Sequence, residues 1–351
     1  MLLSYKQASY TGVRQCPSPQ LQPWPLSRQA HVPKRRRTCI FTPAAAATQN
    51  IAKLQQEYGI AEHVQVVEGQ GGLPKVVLSH SSGTKAEVYL YGGLVLSWKQ
   101  PSGDEVLFTR PDAVFDKSKP ISGGIPHCFP QFGPGKIQQH GFARNCDWEI
   151  ASTSADLQPD ERDPEVELVL TDSDFTRSIW PHPFKAAYSV SLHGDSLRTD
   201  LRIINTGDQA FDFTAALHSY FEVLDISKAR IRGLKGLQYL DKTPDPNNPV
   251  EKKEEREVVS IDGPMDAVFL SPGDYVELDV GTGAAVSISS SGWEDVVVWN
   301  PWDAMPASYE KFCCVENGKI AKPVVLQPGS SWRATQELNV IILDTPDFVE
   351  D

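Results

Sequence analysis

The sequence contains no run of about eighteen apolar residues, so no segment is long enough to cross a bilayer as a helix. It has no C-x-x-C pair and no cysteine–histidine spacing suited to structural zinc. Of its six cysteines, Cys16 and Cys39 lie near the N-terminus, leaving Cys128, Cys146, Cys313 and Cys314. That distribution suits a reduced compartment and gives no disulfide framework. There is no P-loop, no H-E-x-x-H and no G-x-G-x-x-G ahead of a helix, so neither a metal nor a redox cofactor is expected. Helical periodicity is scarce: Ile51–Tyr58 and Ala307–Lys311 are the two short candidates. No internal repeat is visible.

Acidic residues are absent from the first 56 positions, which carry eight Lys or Arg; the first acid is Glu57. The remaining chain holds 25 basic and 45 acidic residues. An acid-free, Ser-, Pro- and Ala-containing basic start without an apolar h-region matches an organelle transit peptide over residues 1–45. Its composition favours the chloroplast, with mitochondrion or cytoplasm as alternatives. The competing reading of Lys34–Arg37 is a disordered basic arm or nuclear signal. The acidic remainder repels nucleic acid and anionic membranes, so neither is an expected partner. A phosphorylated substrate then requires a local basic pocket against that field.

What is present in abundance is short alternating runs separated by turns. Val76–Ser79, Ala86–Tyr91, Leu94–Lys99 and Glu105–Thr109 open the series. Glu165–Leu170, Tyr188–Leu192, Leu197–Asn205 and Phe211–Leu217 follow, and further runs continue to Ser331–Val340. Pro101-Ser-Gly-Asp104 and Thr206-Gly-Asp208 supply turn chemistry between neighbours. The pattern predicts an all-β, antiparallel sandwich with few short helices, one domain over residues 60–345. The charge-dense stretch Glu251–Glu257 is read as a solvated insertion.

Four segments place polar groups where a plain sandwich has no need of them. Residues 121–133 read ISGGIPHCFPQFG, paired glycines able to take positive φ or a close backbone approach. Residues 138–144 read QQHGFAR, gathering amides, an imidazole and a guanidinium. Residues 216–221 read ALHSYF, with His218 ending a strand between aromatics. Residues 312–318 read FCCVENG, with Glu316 ending an apolar strand before an Asn-Gly turn. Taken singly, His218 is a core histidine, Glu316 a strand-end charge and Arg144 a partner for Asp147 or Glu149. Trp293, Trp299 and Trp302 are open to either core packing or stacking on a ligand's apolar face.

Together, and with GLKGLQYLDK at residues 233–242, these segments resemble the hexose-6-phosphate mutarotase branch of the aldose 1-epimerase superfamily, over roughly residues 60–345. The resemblance implies a galactose mutarotase-like supersandwich with its site in a concave face, acting on a small sugar phosphate without cofactor, as a monomer. It implies His218 as general acid and Glu316 as general base for opening and reclosing the sugar ring. Gln139 and Arg144 are implied to hold substrate, His140 to support the ring-oxygen side and Asp241 to contact sugar hydroxyls. Ser122 stands where relatives can carry an arginine for phosphate, and supplies a hydroxyl without charge. Arg110, Lys119 and Lys136 are the nearby cations able to compensate. A free aldose as substrate, or a non-catalytic carbohydrate-binding sandwich, are the alternatives; the joint presence of His218 and Glu316 argues against the second.

Overall fold

A computed structural model describes residues 51–155, 163–273 and 275–343, all belonging to one compact unit. The transit-peptide reading of residues 1–45 lies outside them. The fold is three antiparallel sheets. A nine-stranded sheet runs in the order Val259–Ser260, Arg230–Arg232, Tyr275–Asp279, Ala284–Ser291, Ser331–Ile342, Ser196–Asn205, Phe184–Leu192, Pro164–Thr171 and Glu149–Ala155. An eight-stranded sheet runs Val250–Lys253, Gln238–Asp241, Met265–Leu270, Asp295–Asn300, Phe312–Leu326, Phe211–Leu217 and His127–Cys128, with Tyr220–Glu222 also paired to Phe312–Leu326. A four-stranded meander covers Val64–Lys99. Ile51–Tyr58 forms the expected helix, and Tyr309–Lys311 a single 3₁₀ turn.

Alternation explains how one strand serves two faces. In Phe312–Leu326, Cys313 and Val315 enter the main core beside Val296 and Val298. Phe312 and Cys314 point the other way, into a small cluster with Tyr220, beside Phe108 and Trp299. Successive strand residues face opposite sides, so burial along the whole run means that both faces are covered. Each large side chain fully buried here contributes roughly 1.5–3 kcal/mol.

Two expectations change. Asn317-Gly318 is not a turn: the strand continues through it for 15 residues, from Phe312 to Leu326. Asn317 pairs with Leu217 on one side and Val296 on the other, and its amide oxygen accepts from Gln336 Nε2 at 2.8 Å. Neighbours on both edges outvote a local turn preference. Glu316 is therefore mid-strand. Part of the charge-dense stretch pairs rather than looping out: Val250–Lys253 is an exposed edge strand, its four residues all exposed.

The paired glycines behave as the sequence predicts. Gly124, at φ +66°, packs so closely that a Cβ there would stand 2.2 Å from the Val95 carbonyl oxygen. Gly141, at φ +70°, would meet the Phe129 carbonyl oxygen at 2.1 Å. The two polar loops are thus pressed against the sheet and each other, with no room for a side chain at either crossing.

Candidate active site

Register across the eight-stranded sheet assembles the site. Leu217 lies opposite Asn317, so one further residue along the antiparallel pair sets His218 across from Glu316, with Val297 next in the row. A second row reads Tyr220, Cys314, Trp299 and Asp266. Both rows share one face, because residues two apart on a strand point the same way. The loops at 121–133 and 138–144 wall this face, enclosing a cleft of about 440 Å³.

Gln139, His140, Arg144, Ser122, His218 and Glu316 all line it. The structure brings together six of the seven residues singled out from the sequence. Asp241 is the exception: it lies outside the cleft, accepting from Lys252 Nζ at 2.6 Å and from the Thr243 backbone N–H at 3.0 Å. Its strand places it opposite Ala267, whose face is the reverse of the site, whereas the next residue, Lys242, faces in. Asp266, opposite Trp299, supplies the carboxylate that the sequence reading placed at Asp241. For the ring opening that the resemblance implies, Asp241→Ala is accordingly expected to change exchange less than about twofold, and Asp266→Asn to lower it more than about tenfold, the loss of a charged hydrogen bond to the sugar. Exchange rates measured on both variants decide between the two carboxylates.

Further lining residues escaped the sequence reading, among them the polar Tyr220, Lys242, Asn247 and Asp266. Lys242 Nζ sits 3.4 Å from Asp266 and 5.2 Å above the Phe132 ring. Of the three compensating cations considered, Arg110 lines the cleft beside Ser122, while Lys119 and Lys136 do not. Arg110 is held in a two-pronged pair with Asp112, at 2.9 and 2.7 Å. Of the three tryptophans, Trp299 lines the cleft; Trp293 packs on Trp332 and Trp302 on Tyr309.

His218 Nδ1 and Glu316 Oε1 are 3.2 Å apart, with side chains 9% and 1% exposed. The approach is misaligned, and neither His218 Nδ1 nor Glu316 Oε2 has a hydrogen-bond partner among the described residues. Burial holds Glu316 protonated, well above the usual carboxyl range, and Asp266 adds to this while Lys242 and Arg144 oppose it. Burial also holds the His218 imidazole neutral, well below its usual value, with His140 and Arg144 adding to the effect. Both shifts favour the uncharged forms, a protonated carboxyl beside a neutral ring.

A free imidazole is about three-quarters protonated at pH 6. His218 is expected to be neutral there, as read from its ring ¹⁵N shifts; a charged ring at pH 6 would overturn the assignment. The linkage sign follows. The unfolded chain takes up a proton below about pH 6.5 that the fold refuses, so His218 lowers stability as pH falls.

His140 sits at φ +64°, in the left-handed region uncommon for a residue with a side chain. Its Nδ1 accepts the Gly133 N–H at 3.2 Å, which places the ring proton on Nε2. Burial, then Arg144 and Lys242, push its pKa down to about 3, so it is a neutral donor. The Gln139 amide lies 3.3 Å from that Nε2. The other motif histidine, His127, is core, stacked on Trp148 at 4.8 Å.

A family model for aldose 1-epimerase matches residues 74–339. The chain belongs to the aldose 1-epimerase family. A candidate glucose-6-phosphate 1-epimerase from Cenchrus ciliaris is 38% identical over 293 residues, covering 79% of this chain and 88% of that protein. One of the same description from Escherichia coli K12 is 32% identical over 256 residues, covering 70% and 82%. The crystal structure of a candidate mutarotase from Salmonella typhimurium superposes with a TM-score of 0.69 at 27% identity, covering 80% of this chain and 97% of that one. The family is one of isomerases, and the antiparallel sandwich is the mutarotase-like fold.

Proposed function

We propose that this aldose 1-epimerase family member interconverts the α and β anomers of glucose 6-phosphate or a closely related hexose 6-phosphate. The observation that carries the reading is the His218–Glu316 pair, buried at the cleft floor with Nδ1 and Oε1 3.2 Å apart, with cations on the walls. Relatives described as glucose-6-phosphate 1-epimerases support the choice of substrate.

Anomerisation opens the ring, turns the C1–C2 bond and recloses on the other face of the carbonyl. Opening removes the O1 proton, forms the C1=O1 double bond, breaks C1–O5 and protonates O5. The two reacting oxygens share one carbon. Acid and base must therefore converge on a point, and a pair in near contact satisfies that better than groups far apart. One proton enters the pair as another leaves, so the pair's proton count is unchanged while the proton has moved from acid to base; reclosure on the other face returns it. Burial rests the proton on Glu316, while the roles implied by resemblance begin with it on His218. The 3.2 Å approach allows either start, and Lys242 and Arg144 favour the carboxylate. Neutral His140 donates from Nε2 towards the ring-oxygen side. Trp299 offers an apolar surface for the sugar ring.

Arg110, Arg144 and Lys242 are the cations that line the cleft, and they provide the local positive field a phosphate needs in an acidic protein. Magnetisation-transfer NMR on the purified protein is expected to show catalysed exchange of glucose 6-phosphate anomers at least about tenfold faster than of glucose, the value of one charged hydrogen bond. Faster exchange of free glucose would make the protein an epimerase of unphosphorylated sugars. Binding without exchange would make it a carbohydrate-binding sandwich.

A further inference from the structure

The face of Phe312–Leu326 that carries Glu316 brings a second chemistry to the cleft floor. Cys314, two residues earlier, shares that face. Its Sγ, a His218 ring nitrogen and a Glu316 carboxylate oxygen all lie within 4.8 Å of one another. All three residues are buried, and His218 Nδ1 and Glu316 Oε2 lack hydrogen-bond partners among the described residues. Thiol, imidazole and carboxylate converging on one point form the donor set of a divalent, borderline-soft cation. We propose that His218, Cys314 and Glu316 form an inhibitory site for zinc-class ions, occupied in competition with the sugar.

The distances suit it. Zinc ligated at about 2.0–2.3 Å in a tetrahedron sets its donors roughly 3.3–3.7 Å apart. His218 Nδ1 and Glu316 Oε1 already stand at 3.2 Å, so Cys314 has the larger part of the closure to make. His218 and Glu316 line the cleft, from which a fourth ligand would come. Seating Zn²⁺ expels the Cys314 thiol proton and the Glu316 carboxyl proton. The dication then meets two anions and one neutral ring, and the buried site stays neutral overall. Two released protons make zinc binding weaken as pH falls. Mg²⁺, which demands oxygen ligands, finds one carboxylate and is not selected.

The inhibitory consequence rests on the proposed function, but occupancy does not, so the two are measured separately. Zinc affinity of the purified full chain is read by competition with a chromogenic chelator in sugar-free buffer, and exchange is then read with and without ZnCl₂. One zinc is expected per chain, with glucose 6-phosphate competing against it and Mg²⁺ without effect. Cys314→Ala is expected to weaken zinc by more than about tenfold, as loss of a metal-site residue does. Cys314→Ser, which preserves packing, should weaken zinc likewise, and Cys128→Ser should retain it. Unchanged zinc affinity in both Cys314 variants, or an equal loss in Cys128→Ser, overturns the site. Zinc binding that depends on Cys314 in a protein without exchange activity would leave the metal site standing and remove the proposed function instead.

Discussion

Glu316→Gln is expected to lower the exchange of glucose 6-phosphate anomers by about 10²–10⁴-fold, the contribution of one positioned proton-transfer group. The substitution conserves shape and takes away the proton chemistry. A protonated Glu316 and a glutamine differ little in volume, and Oε2 has no partner to lose. Stability should therefore stay within about 1 kcal/mol, the range of a substitution that leaves no cavity and no orphaned charge. His218→Ala is expected to match the loss of exchange. Its ring is stacked on Tyr220 at 4.7 Å, so that variant also sacrifices some packing. Urea melts alongside the NMR rates separate the two effects. If folded Glu316→Gln exchanges anomers at near the parent rate, the carboxyl is a structural group and the pair does not carry the reaction.

Arg144→Ala should weaken phosphorylated substrates by about 10- to 100-fold, since a hydrogen bond to a charged group is worth about 1.5–3 kcal/mol. One Nη of Arg144 donates to the Gln139 carbonyl at 2.9 Å, and its buried Nε has no partner among the described residues. Arg144 lines the cleft, where its guanidinium is a charged donor for an anion. Ser122→Arg, by adding a charged fork beside Arg110, is expected to strengthen phosphate binding, and free glucose should respond far less to either change. kcat/KM for both sugars in both variants tests this. The Gln139 contact sets the opposing reading: equal losses on the two sugars in Arg144→Ala would mean that Arg144 positions the 138–144 loop.

Much of this site was legible from linear order, because its parts sit in compact segments. Gln139, His140 and Arg144 fall within one loop, and the need for glycine at positions 123, 124 and 141 reflects backbone crossings that no other residue tolerates. Asp241 shows where that legibility stops. Side chains on a strand alternate, so a carboxylate one residue from Lys242 is on the wrong face, and nothing local to GLKGLQYLDK says which residue faces in. Asp266 carried a faint signal, as the one acid within the otherwise apolar strand Met265–Leu270. The Asn317-Gly318 misreading has the same origin. A turn-forming dipeptide is a local preference, and strands paired on both sides override it.

The sequence by itself determined the all-β class, through alternation and turn chemistry, and the family, through the order of its polar segments. It also set the residue types the chemistry requires, an imidazole and a carboxyl on separate strands. Tertiary structure alone decided that these two come within 3.2 Å, because 98 residues of chain separate His218 from Glu316 and strand register closes the gap. It alone put Asp266 in the cleft and Asp241 outside it, and brought Lys242 to the wall. It also set the direction in which both groups shift, since a pKa depends on burial and neighbouring charge, and neither exists until the sheets have packed.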